Sequence, residues 1–269
     1  MNKLKKYTLM LIFLMSGFFL YGQADTTRHI IEAGYRYEKF SNGSERSFYS
    51  MQYGHRFKNK YDTYNDLFVK STYQNRGESE AFQHSVDYYP KHKKGYYFFS
   101  ARYSNSILFP TVMVFAERFT SFGERSEWSL GTRYLRALEY YDIYSLTGTY
   151  GIYYGNFYTY VRPIVSLLED GYAWNGQIVT RYYDGNGKNY LEGSFLYGED
   201  AGSVRPTTSI ENSFGLDTYL VRVKGNLMLP RNWWLAIGVD QSTINIPKAN
   251  GDINQLKIIG FDIMIKKKF

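Results

Sequence analysis

Glu127-Trp128-Ser129-Leu130-Gly131-Thr132-Arg133-Tyr134 alternates without a break. Trp128, Leu130, Thr132 and Tyr134 fall on one face; Glu127, Ser129, Gly131 and Arg133 fall on the other. A period of two is that of an extended strand, whose successive side chains point to opposite sides. Large apolar and aromatic groups on one face, charge and glycine on the other, suit a wall with lipid outside and a polar lumen inside. From Val86 to Ser166 the pattern returns in segment after segment, with short polar breaks between.

Working outward, the same alternation fills the chain. Ile31, Ala33, Tyr35 and Tyr37 oppose Glu32, Gly34, Arg36 and Glu38, and a turn signal follows at Ser41-Asn42-Gly43-Ser44. Phe48 to Lys58 sets Tyr49, Met51 and Tyr53 against Ser50, Gln52, Gly54 and Arg56. Further strands are expected near 65–75, 80–90, 94–104, 110–120, 126–138, 141–153, 157–168, 172–184, 188–199, 216–229, 232–245 and 255–269. The spacing therefore predicts an all-β, transmembrane, antiparallel up-and-down β-barrel of about 14 strands, or 12 if two short early segments are loops. An even count puts both chain ends on one side. It sets the long 199–215 and 246–254 loops outside and the tight Pro230-Arg231-Asn232 turn inside. Trp128, Trp174, Trp233 and Trp234 are expected at outward or rim positions, where amphipathic rings sit well.

Composition agrees. The chain has 269 residues, 29 of them Tyr, 24 Gly and none Cys. Without cysteine there is no disulfide framework, thiolate nucleophile or Cys-based metal site. Mean hydropathy is −0.43, as expected when a polar lumen face cancels a lipid face. Lys3, Lys5 and Lys6 precede an apolar run from Tyr7 to Leu20 and a small-residue exit at Gly22-Gln23-Ala24. This predicts a signal peptide over 1–22, export, and a barrel domain over 23–269. Removing those three lysines trims a formal net charge of +7. The remainder, scattered over strands, is no nucleic-acid footprint. The chain ends on Phe269 after alternating LKIIGFDIMIKKK. A terminal aromatic on the last strand is the assembly signal expected of an outer-membrane barrel, so the expected partners are outer-membrane lipid and a barrel-assembly machinery.

Several spaced motifs carry a family resemblance. They are Glu32-Ala33-Gly34-Tyr35, Phe40-Ser41-Asn42-Gly43, Val86-Asp87-Tyr88-Tyr89-Pro90-Lys91, Tyr103-Ser104, Leu108-Phe109-Pro110, Ser129 to Leu135, Tyr150, Gly155-Asn156 and Arg162-Pro163. Together they resemble the YaiO-family outer-membrane β-barrel domain over essentially the whole mature chain. The resemblance implies an integral outer-membrane protein and supplies no catalytic residues.

The polar face holds the candidate functional residues. Glu32, Arg36, Arg56, Arg102, Glu127, Arg133, Arg162 and Arg181 share lumen parity on different strands. Guanidinium groups pair bidentately with carboxylates in confined space. Three roles fit: a braced, filled lumen; a narrow pore whose arginines favour small anions or acidic glycans; or a scaffold acting through its outer loops. The leading expectation is a structural or narrow-channel protein without enzymatic activity, catalytic residues or cofactor. The alternative is a lipid- or glycan-modifying barrel enzyme. Against that alternative, adjacent Ser85 and His84 point to opposite faces. No His-x-His, His-Glu-x-x-His or acidic calcium loop occurs.

Overall fold

The computed structural model describes residues 28–61, 63–106, 108–137, 141–168, 171–185, 187–200, 216–247 and 253–269. The expected signal peptide and most of the long 199–215 loop lie outside these. The described residues form β1 (His29–Phe40), β2 (Glu45–Lys58), β3 (Tyr64–Arg76), β4 (Ser79–Tyr89), β5 (Lys91–His92), β6 (Gly95–Ser104), β7 (Val112–Phe122), β8 (Ser126–Ala137), β9 (Tyr141–Tyr154), β10 (Phe157–Leu168), β11 (Gly171–Tyr183), β12 (Tyr190–Asp200), β13 (Leu216–Leu229), β14 (Trp233–Pro247) and β15 (Ile253–Lys268). Each strand is antiparallel to its chain neighbour, and β1 pairs with β15. The two-residue β5 continues β4 beyond Pro90, and β4 pairs directly with β6. The wall is therefore a closed barrel of 14 staves, which leaves no unpaired sheet edge facing lipid.

Following Cα partners from strand to strand returns to β1 about fourteen residues from the starting point, a shear similar to the strand number. With ordinary strand spacing and rise, that shear tilts the strands by roughly 36° and sets a backbone radius of roughly 13 Å. The lumen is too wide to be filled automatically, as in barrels of about 8 strands, and narrower than in porins of roughly 16–18. The inward side chains decide how much of it stays open.

Parity holds on every stave. Val69, Val86, Leu130, Leu146, Ile178, Val221 and Val239 are exposed outward and form an aliphatic band. Rings flank it. Toward the end away from the termini, Tyr35, Tyr49, Tyr73 and Phe82 make a row with centroids 5.1, 6.1 and 5.0 Å apart. Toward the end that carries both termini lie Trp128, Tyr154, Phe157, Tyr182 and Trp233. Two aromatic girdles around an apolar band are the lipid face of a membrane barrel. Trp128, Trp174 and Trp233 face outward, while Trp234 sits at the rim and faces in. Trp234 has the parity of Ala236 and Asp240, both buried inside, and its ring lies 4.7 Å from Lys268 Nζ. The tight turn places Trp233 outward, so its neighbour must face in.

The turns follow local chemistry. Gly43, Gly77, Gly123 and Gly155 take positive φ in short hairpins, where a Cβ would be strained. Pro230–Asn232 makes the tight turn between β13 and β14, with Arg231 and Asn232 at positive φ and the Trp233 N–H bonded to the Pro230 carbonyl. Expected and observed boundaries differ by up to three residues, at β2, which begins at Glu45 rather than Phe48; β7 begins at Val112 rather than near residue 110. Leu108-Phe109-Pro110 instead leaves the wall.

Candidate functional site

The lumen wall is the candidate site, and period-two alternation builds it. All eight residues singled out on the polar face point inward on their strands. Arg36 (β1) contacts Glu38 at 2.8 Å, Asp240 (β14) at 2.6 Å and Asp262 (β15) at 3.2 Å. Asp262 also takes Arg222 (β13) at 2.6 Å, and Glu38 accepts from Arg46 (β2) at 2.9 Å. This chain of charges stitches five neighbouring strands across the β1–β15 closure. Glu32 meets Lys266 at 3.1 Å, and Arg56 grips Asp66 with two hydrogen bonds of 2.6 and 3.2 Å. On the other side Arg181 meets Glu192 at 2.6 Å. Arg162 (β10) reaches Glu117 (β7) at 3.1 Å and donates to Thr149 at 2.9 Å. Arg133 donates to Ser145 Oγ at 3.1 Å, and Glu127 accepts from the Tyr158 hydroxyl. Arg102 makes no ion pair with the described residues.

Glycines let these pairs lie flat. A Cβ on Gly260 would come within 2.6 Å of Arg36 Nη2 and 2.8 Å of Asp240 Oδ1. One on Gly131 would come within 2.7 Å of Glu117 Cβ. At these two glycines the side chains occupy the space a Cβ would take, so the Arg36–Asp240 and Arg162–Glu117 bridges rest against the backbone. The sequence singled out the arginines by parity. It missed Arg46, Glu117, Arg222 and Asp240 as members, although the same parity identifies them.

The charge is not fully paired. Lys70 (β3) and Lys224 (β13), like Arg102 (β6), form no ion pair among the described residues. Lys70 faces Glu32, Asp87 and Arg102; Lys224 faces Arg222, Asp262, Glu192 and Glu32. These cations look into the same lumen.

The end away from the termini is different in kind. Three buried apolar clusters face inward there: Leu135, Ile143 and Ala173; Phe40, Ile244 and Ile258; and Phe48, Ala81, Leu108 and Phe109. The third is made by the β6–β7 loop, which hooks inward over β2 and β4. Ser104 Oγ anchors it to the Phe82 carbonyl at 2.7 Å, and Leu108 N–H donates to Ser106 Oγ at 3.2 Å. Phe109 is 1% exposed. The hook therefore sets a buried apolar group at the mouth away from the termini.

His29 lies beside His55, with ring centroids 5.1 Å apart, and bonds Tyr53 at 2.7 Å on the rim beside the termini, while His84 points outward and Ser85 inward on β4. Phe269 pairs with His29 through backbone hydrogen bonds of 2.9 and 3.4 Å and finishes the β1–β15 seam.

The model of the YaiO membrane beta barrel domain matches residues 28–202. No curated protein matches the chain. Among solved structures, the outer membrane protein Omp33 of Acinetobacter baumannii superposes with a TM-score of 0.53 at 14% identity, covering 91% of this chain and 100% of that one. CdiB from Acinetobacter baumannii gives a TM-score of 0.52 at 10% identity, covering 91% of this chain and 61% of that one. An anion-selective porin from Comamonas acidovorans gives 0.49 at 8% identity, over 90% of this chain and 98% of that one. At these identities the likeness is one of fold.

Proposed function

The chain belongs to the YaiO membrane β-barrel family, and from that premise we propose that this outer-membrane barrel works as a narrow, water-filled, anion-preferring channel. One observation carries the reading. The inward arginines are paired, yet the side chains of Arg36, Arg162, Arg56, Arg181 and Arg222 keep 21, 25, 31, 31 and 31% of their surface accessible. Guanidinium groups in a plugged lumen would have no such access. Glycine clearings hold the Arg36–Asp240 and Arg162–Glu117 bridges to the wall, and a backbone radius of roughly 13 Å leaves room beyond them. The hook and apolar clusters make one mouth the narrow point. Water wets polar walls readily and apolar constrictions poorly, so conductance is set there. Selectivity is set by Lys70 and Arg102, because a paired arginine and its carboxylate cancel at a distance; Lys224 lies instead among Asp262, Glu192 and Glu32.

Single-channel recording of the refolded mature chain in planar bilayers tests this. Small, steady steps and a reversal potential that favours chloride in a potassium chloride gradient are expected. A folded, heat-modifiable barrel that stays electrically silent, or one that prefers potassium, overturns the channel reading.

A further inference from the structure

We propose that the β3–β4–β6–β7 arc of the lumen carries a binding subsite for an acidic sugar residue of a glycan; this deepens the channel reading and rests on an accessible lumen. Three independent features meet on this arc. The first is a group of inward rings. Tyr89 stacks on Phe98 at 4.7 Å, and Tyr96 on Phe119 at 4.4 Å. Phe68 meets Tyr89 edge-on at 5.9 Å, and Phe98 meets Phe115 at 5.2 Å. None of these six rings is fully buried, so they present faces and edges to the lumen. Inward rings also line β9 to β12, where Tyr158 lies 4.4 Å from Tyr153 and 5.7 Å from Tyr160, but there the Arg181–Glu192 pair and Glu127 sit among them.

The second feature is a recess of about 270 Å³ bordered by Phe68, Tyr89, Tyr96, Lys91 and Asp66. It is large enough for one pyranose ring. Asp66 there is already matched by Arg56 and by Lys91 at 3.3 Å, so the recess is not held by free negative charge.

The third feature is unused hydrogen-bonding capacity beside the rings. Asp87 Oδ1, Ser100 Oγ and Arg102 Nε are all buried without a hydrogen-bond partner. Asp87 and Ser100 are direct cross-strand partners, and Arg102 follows two residues along β6. Lys70 faces both Asp87 and Arg102 and makes no ion pair. Buried polar atoms are rarely left unpaired without a reason. Here one acceptor, one hydroxyl and two cations surround an aromatic wall.

The chemistry that uses all of these is a sugar ring bearing a carboxylate. The apolar face of a pyranose stacks on aromatic rings. A ring hydroxyl bonds to the carboxylate of Asp87, which is only half-buried. The carboxylate goes to Arg102 and Lys70, whose two positive charges exceed the single Asp87. A neutral sugar would leave those cations unmatched, and a simple inorganic anion would not use the rings.

Isothermal titration of the refolded full-length barrel in detergent, with trigalacturonate as probe and maltotriose as neutral control, tests the subsite without requiring conduction. Saturable trigalacturonate binding is expected, with maltotriose weaker. Lys70→Gln, Arg102→Gln and Tyr89→Ala should each weaken the binding by about tenfold or more. Lys224→Gln removes an equal charge outside the arc and should change it little. Heat-modifiable mobility confirms that each variant is folded. Absence of binding overturns the subsite, as does equal affinity for both trimers or an equal loss in Lys224→Gln, which would report only a general positive field. Binding in a barrel that passes no current would leave the subsite standing and remove the channel reading; current without binding would do the reverse.

Discussion

Glu117→Gln is the substitution that best separates brace from ornament. Glu117 is wholly buried (0% side-chain exposure) and receives Arg162 from three strands away at 3.1 and 3.3 Å. Ser129 donates to it, and Thr149 lies 3.4 Å off. Glutamine keeps the shape and one acceptor oxygen, so the change isolates charge. Breaking a fully buried pair by removing one partner costs about 3–5 kcal/mol. Arg162, however, keeps 25% of its side chain accessible, and water screens part of the loss. A destabilisation of about 2 kcal/mol is therefore expected. Equilibrium urea unfolding in lipid vesicles, followed by tryptophan fluorescence, measures it. Adding Arg162→Gln removes the stranded charge, so the double variant should recover part of the loss. The cycle then gives the coupling directly.

The same variant has an electrical readout of known sign. Losing Glu117 deletes a negative lumen charge and leaves Arg162 uncompensated, so anion preference should rise. A stability change below about 0.5 kcal/mol, the range of an ordinary surface substitution, together with an unmoved reversal potential would refute the idea that this pair both ties β7 to β10 and lines an ion path.

Two further substitutions probe the clearings and the mouth. Gly260→Val drives a side chain into Arg36 and Asp240, whose nearest atoms lie 2.6 and 2.8 Å from an added Cβ. A loss of about 1–3 kcal/mol is expected from overpacking, while Gly225→Ala, with nothing within 4 Å of its Cβ, should leave urea stability nearly unchanged. Phe109→Ala empties the inward hook, a 1% exposed ring seated against Phe48 and Ala81. Single-channel conductance should increase; unchanged conductance would place the hook clear of the ion path.

The architecture was legible because its signal is local. Trp128, Leu130 and Tyr134 against Glu127, Gly131 and Arg133 state a strand's two faces within eight residues. Every one of the fourteen staves repeats that statement, and parity alone places Arg36 or Arg181 inward. Partners were not legible, because pairing depends on shear. Arg162 and Glu117 are 45 residues apart and on non-adjacent strands, and no spacing rule links them. For Trp233 and Trp234 the rim was legible and the facing was not: side-by-side tryptophans cannot both face lipid on a strand, and the choice between them hangs on the φ of Arg231 and Asn232 in the turn before. Leu108-Phe109-Pro110 reads locally like the start of an apolar strand. Only tertiary contact with Phe48 turns it inward. The aromatic arc was invisible for a similar cause, since Phe68, Tyr89, Phe98 and Phe115 belong to four strands and meet only through their registers.

The barrel is uneven around its axis, and the unevenness bears on how its charge acts. From β13 through β15 to β2, and again from β7 to β12, carboxylates sit against guanidinium groups, and Gly131 and Gly260 give them room at the wall. From β3 to β6 Lys70 and Arg102 lack such partners, and rings stand beside them. A matched pair projects little field beyond a Debye length of about 8 Å, whereas Lys70 and Arg102 project theirs undiminished by contact partners. In the proposed channel the arginine ladder therefore holds the wall in shape, and the sparse unpaired arc sets which solutes linger. Replacing a ladder arginine would expose its carboxylate and move selectivity toward cations by an indirect route. Replacing Lys70 would move it the same way directly, with far less cost to the fold. The two kinds of cation differ in what their loss does to stability, and that difference follows from which of them a carboxylate touches.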